Sequence, residues 1–79
     1  MARKELNGFE AVSAVVPGEG GYSAAIAVKG LEAGGAPVFN RVLPEQKFKT
    51  AHEADVAATD ELNRLIDIDA EGGLSFQAH

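Results

Sequence analysis

Asp67, Asp69, Glu71 and Gly72 are the residues whose spacing comes nearest to a chemistry. Acids at alternate positions followed by a glycine match the front half of a calcium loop, with Leu74 at its apolar eighth position. The twelfth position falls on Ala78, where a bidentate Glu is needed, and no second helix follows. The run therefore reads as the acidic, frayed end of a helix. His52 and His79 supply neither a metal triad nor a base with an orienting partner. Asp60 and Glu61 are adjacent, so on a helix they diverge and form no dyad. Ser13, Ser23 and Ser75 are scattered through strands and tail. The sequence points to no catalytic residue, metal ligand set or cofactor site, and the chain is not expected to be an enzyme.

The glycine clusters, Gly18-Glu19-Gly20-Gly21 and Gly30 to Gly35, lack phosphate-loop spacing. Neither leads from a strand into a helix as a dinucleotide fingerprint must. They read as hairpin turns. With no cysteine among 79 residues, disulfides, thiolate chemistry and Cys-ligated metals are excluded. No apolar run of membrane-spanning length and no secretory signal is visible, so the cytoplasm is the expected compartment.

Lys29, Arg41, Lys47 and Lys49 are the one cationic group that could hold a nucleic-acid strand, with Tyr22 or Phe39 to stack on a base. The net charge of -5 works against it. The charge is also uneven: residues 1–49 hold six Lys or Arg against five acids, and residues 50–79 hold Arg64 against seven acids. The acidity belongs to the helix and tail. Nucleic acid is the disfavoured alternative partner.

One helix organises the rest. It is expected over Thr50 to Ile68, opened by Thr50 as N-cap with Glu53 three residues on. Ala54, Ala58, Leu62 and Leu65 recur on one helical face, and Ala51, Ala57, Ile66 and Ile68 widen the stripe. Glu61 falls at its edge. Gly72 and Gly73 end the helix. A single helix cannot bury such a stripe alone, so the strands upstream must receive it.

Three strands are expected, over residues 9–16, 22–29 and 36–43. Residues 1–8 read as a loose start, 9–71 as one β-β-β-α domain and 72–79 as a tail. The fold class is α+β: a three-stranded antiparallel meander with one C-terminal helix on one face. The core is expected from Phe9 or Val12, Ile26, Val28, Val38, Phe48, Ala54, Ala58, Leu62 and Leu65. Both faces of the first strand are apolar, so its inward side is open.

The helix can cover one sheet face only. The other carries some of Val12, Ala14, Val16, Ala25, Ala27, Phe39, Arg41 and Leu43, too apolar for a solvated face. Either Leu74 and Phe76 fold back over it, or a second copy or another protein does. The expected function is a small protein-interaction or homodimerising module, with Val12, Val16, Phe39, Arg41 and Leu43 as its contact face.

Gly21-Tyr22 at a strand start and Phe48, Thr50, Glu53 and Ala54 at the helix entry resemble a group of small uncharacterised bacterial proteins. The resemblance spans roughly residues 8–69. It implies a β-β-β-α fold and brings no activity or catalytic residue. The strand order also looks like that of double-stranded-RNA-binding and integrase N-terminal domains. The additional N-terminal helix and basic helix start of the former are missing here, where the helix opens with His52, Glu53 and Asp55.

Overall fold

The computed structural model describes residues 2–32, 36–43, 45–71 and 73–77. Pro44, Gly72 at the expected helix end, turn residues 33–35, and Ala78 and His79 lie outside the described residues. The element order is β1 (Arg3–Leu6), β2 (Phe9–Gly18), β3 (Gly21–Gly30), β4 (Val38–Arg41), α1 (Ala51–Arg64), β5 (Leu65–Ile68) and β6 (Leu74–Phe76). The first four strands form an antiparallel sheet in chain order, and β5 and β6 form a separate two-stranded sheet. The α+β class with an antiparallel sheet and one helix matches expectation. The strand count does not: the main sheet has four strands, not three, and a second small sheet follows the helix.

The added strand β1 lies in the segment that reads as a loose start. Asn7 and Gly8 link it to β2 as a two-residue hairpin loop with φ of 50° and 83°. Positive φ at both central residues matches the right-handed twist of the paired strands, and Asn-Gly is the dipeptide that adopts it most readily. Alternation then places Ala2, Lys4 and Leu6 on the same face as Phe9, Ala11 and Ser13. Ala2 and Leu6 pack against the core.

The helix begins as expected. Thr50 is extended, and its Oγ1 accepts from the Glu53 amide at 3.1 Å. It ends four residues early. Leu65 turns extended at φ -68°, ψ 121°, and Leu65 to Ile68 become β5. Alternating β-branched and acidic residues suit a strand, and the Lys4 side chain takes up the freed carbonyls. Its ammonium donates to Leu65 O at 2.7 Å and Leu62 O at 3.4 Å. A cation here also opposes the negative end of the helix dipole. Asn7 Nδ2 holds the next stretch, donating to Ile68 O at 3.1 Å and to the Asp67 carboxylate. Ile66, expected in the helical stripe, is 58% exposed, whereas Ile68 is fully buried from its place on β5.

Lys4→Met keeps the apolar stem and removes the charge and its bonds. It is expected to lower stability by about 1 to 2 kcal/mol. Urea unfolding should show the shift, while Lys49→Met, on an exposed connection, should leave the midpoint in place.

The core lies between α1 and one sheet face. Ala54, Ala58 and Leu62 are buried on the helix, Ala11 on β2, and Ala24, Ile26 and Val28 on β3. Phe9 supplies the inward first-strand position and Val12 faces the other way. Phe48 packs against this core and is bonded to the end of β3, with Tyr22 N to Phe48 O and Phe48 N to Tyr22 O both 2.8 Å. Val38, an expected core residue, is 64% exposed. It points to the helix side, but from the end strand of the sheet, where the helix does not reach. Val42, just past β4, is buried instead.

Candidate interaction face

Antiparallel register fixes what the uncovered face carries, because directly opposed residues share a face. Val12, Ala27 and Phe39 form one row across β2, β3 and β4; Ala14, Ala25 and Arg41 form the next. Val16 opposes Ser23, and Glu10 opposes Lys29, on the same side. We call this the outer face. Four of the five expected contact residues, Val12, Val16, Phe39 and Arg41, come together on it. Leu43 lies past the end of β4, half-buried, with φ of 53°. It belongs to the turn in which Gln46 N donates to Leu43 O at 3.0 Å, so it leaves the strand's alternation.

Phe39 is 58% exposed, the most prominent apolar group on the face. Ala25 is fully buried although the helix lies on the other side, so neighbouring side chains of the face cover it. Small residues in mid-sheet make a depression between longer ones. A shallow hollow of about 450 Å³ lies between Val16, Pro17, Phe39 and Arg41.

The cations divide. Arg41 and Lys29 are exposed on the outer face, on rows four residues apart along β3, or about 13 Å. The Lys47 ammonium joins them by donating to Ser23 Oγ at 2.9 Å. Lys49 is exposed on the connection into the helix. Lys29 and Arg41 thus each lie one row from Phe39, and Lys47 lies two rows away, beyond Arg41. Arg3 also lies on this face, bracketed by Glu5 and Glu10. Its hydrogen bond to Glu10 and that group's charge, with Glu5 adding, push its pKa further up, so it is a cation at every working pH.

No family model, curated protein or solved structure matches this chain. The reading of the site therefore rests on its own geometry.

Leu74 and Phe76 do fold back, but β6 pairs with β5 and both side chains pack against the core on the helix side. Leu74 and Phe76 do not take the place over Phe39 that the sequence leaves open for them. The acidic run is built into the same hairpin. Asp69 Oδ1 accepts from Glu71 N at 2.9 Å and Gly73 N at 2.8 Å, closing the β5–β6 turn. The spacing that resembles a calcium loop is the period-two spacing of a strand running into this turn. Among the described residues, no three His, Cys, Asp or Glu are grouped to hold a metal ion. Among them, too, no helix is long and apolar enough to cross a membrane.

His52, Glu53 and Asp60 line a second hollow, of about 380 Å³, on the helix flank beside Phe48, Val56 and Ala57. Ser13, fully buried, is structural. Its Oγ accepts from Ala2 N at 3.0 Å and donates to Asp55 Oδ1 at 3.1 Å, joining the sheet to the helix. The Lys47 contact is the part of the outer face that sequence reasoning missed. Ser23 alternates with Ala25 and Ala27 and so marks the face, but nothing in the sequence brings a connection residue back across β3 to it.

Proposed function

We propose that this chain is a protein-interaction module that uses the outer face of its sheet, with a second copy or another protein as occupant. One observation carries the reading. The helix and the β5–β6 hairpin, with Leu74 and Phe76, lie on the helix side, and Phe39 stands exposed in an apolar row with Val12 and Ala27. Exposed apolar area of that kind, rimmed by charge, is typical of contact surfaces. A cytoplasmic setting belongs to the same reading.

A photo-crosslinking amino acid at Val16 should give a protein adduct in cells, and one at Asp60, on the exposed side of the helix, should not. Phe39→Asp should remove the adduct and leave the far-ultraviolet circular dichroism unchanged. Absence of any adduct from Val16 would overturn the proposal.

The three cations that share the outer face with Phe39 favour a second reading, in which that face holds a nucleic-acid strand by phosphate contacts and stacking. The net charge of -5 opposes it. Duplex RNA and single-stranded DNA are expected to bind no tighter than ~100 μM at physiological salt. Low-micromolar affinity that weakens as salt rises would make the second reading the better one.

A further inference from the structure

β4 is an edge strand of the main sheet, at the opposite side from β1, and its backbone pattern is defined. Val42 N donates to Ala24 O at 3.1 Å, so residues 42 and 24 form a hydrogen-bonded pair. Bonded and non-bonded pairs alternate in an antiparallel ladder. Asn40 with Ile26 and Val38 with Val28 are then bonded pairs, whereas Phe39 and Arg41 turn their N–H and C=O away from β3. Those four groups lie along the outer edge of the sheet. Pro37 has no N–H and limits the edge on that side.

The sequence along this edge is Val38-Phe39-Asn40-Arg41-Val42, with valines placed symmetrically about Asn40 and the unlike pair Phe39 and Arg41 between them. We propose that the β4 edge pairs antiparallel with the β4 edge of a second copy, across a two-fold axis at Asn40. The proposal goes beyond the interaction-module reading: it engages the edge beside the outer face and leaves that face open. In that register, Phe39 of one copy and Arg41 of the other form a hydrogen-bonded pair. The two-fold repeats it, so all four free backbone groups on each copy are satisfied. Each Phe39 ring also lies directly opposite an Arg41 guanidinium on the outer face, a pairing favourable to both.

On the helix side, Val38 comes opposite Val42 of the second copy, giving cover to a side chain that is 64% exposed in one chain. The two Asn40 amides meet at the axis. Each makes a long contact, Nδ2 to Val38 O at 3.4 Å, which it can exchange for its counterpart. Side-chain complementarity is what selects a second copy over an unrelated strand: the same edge carries both the Phe39 ring and the Arg41 guanidinium that each outer-face pair needs. The product is a continuous eight-stranded sheet with both helices on one side and both outer faces on the other.

A charge swap tests the register. Sedimentation equilibrium on the full chain should show a concentration-dependent dimer. Phe39→Arg sets the introduced guanidinium opposite that of Arg41 in the second copy, twice over, and should weaken association about tenfold or more. Adding Arg41→Phe restores a guanidinium opposite a ring and should bring association back to near the starting value. Val16→Asp, on the outer face but away from the edge, should leave the dimer intact. Circular dichroism on each variant guards against loss of the fold. Should Phe39→Arg prove unfolded, a synthetic chain N-methylated at Phe39 removes one free donor and should lose the dimer with the native spectrum kept. A monomer at all concentrations, or a swap that fails to restore association, overturns the inference. A dimer lost on Val16→Asp and indifferent to the swap overturns the edge and leaves the face reading standing.

Discussion

Leu62→Ala is expected to unfold this protein under conditions where Val56→Ala leaves it folded. Leu62 is 1% exposed and is one of the largest side chains buried between helix and sheet. Ala54 and Ala58 precede it on the same helical face, so the start of α1 approaches the sheet through small residues and Leu62 fills the wider end. Removing it deletes buried methyl groups and leaves a cavity that fixed strands cannot close, at a cost of about 2 to 5 kcal/mol. A domain of this size holds few kcal/mol in reserve. Val56 is 47% exposed on the helix flank, and its truncation should stay within about 0.5 kcal/mol. Urea midpoints for the two variants measure the contrast. Equal midpoints would mean that the helix presents a different face to the sheet.

That contrast was legible in the sequence because the relevant signal is purely periodic. Ala54, Ala58 and Leu62 mark one helical face whatever the partner, and Thr50 marks the start by its own side-chain chemistry. The outer face was legible for the same reason: Phe39 and Arg41 alternate with Val38 and Val42, and only one side of a sheet can meet a single helix. The end of the helix was not. Leu62, Leu65 and Ile68 continue a three-to-four-residue spacing that also fits a strand entered at Leu65 with a bulge, and periodicity alone does not separate the two. The decision is tertiary, made by Lys4 and Asn7 reaching the β5 carbonyls from across the molecule. Strand β1 was hidden by its charge, since Arg3, Lys4 and Glu5 look like solvated chain. Its signal was the turn that follows: Asn7-Gly8 is a strong hairpin dipeptide, and it implies a strand on each side. Leu43 misled because alternation was carried two residues past the strand, into a residue with φ of 53°.

Gly21→Ala is expected to be the most damaging single-atom addition among the glycines described. Gly21 has φ of 135°, and a Cβ there would lie 2.4 Å from Phe48 O and 3.3 Å from Phe48 C. These are backbone atoms, so no side-chain rotation gives relief. They also belong to the carbonyl that accepts the Tyr22 amide at 2.8 Å. Making room means drawing the connection away from β3, which breaks both Tyr22–Phe48 bonds and lifts Phe48 from the core just before the Thr50 cap. Backbone strain, two weakened hydrogen bonds and disturbed packing together should cost about 3 to 5 kcal/mol. Gly8→Ala separates strain from collision. Gly8 has φ of 83° with no atom within 4 Å of the added Cβ, so strain alone acts, at about 1 to 2 kcal/mol. Thermal unfolding should rank the variants in that order. Amide exchange should report faster opening at Tyr22 and Phe48 in Gly21→Ala, with those two amides still protected in Gly8→Ala. If both variants lose the same stability and Tyr22 stays protected in each, the close approach of β3 to the connection does not hold that end of the sheet, and the path by which Lys47 reaches Ser23 on the outer face loses its anchor.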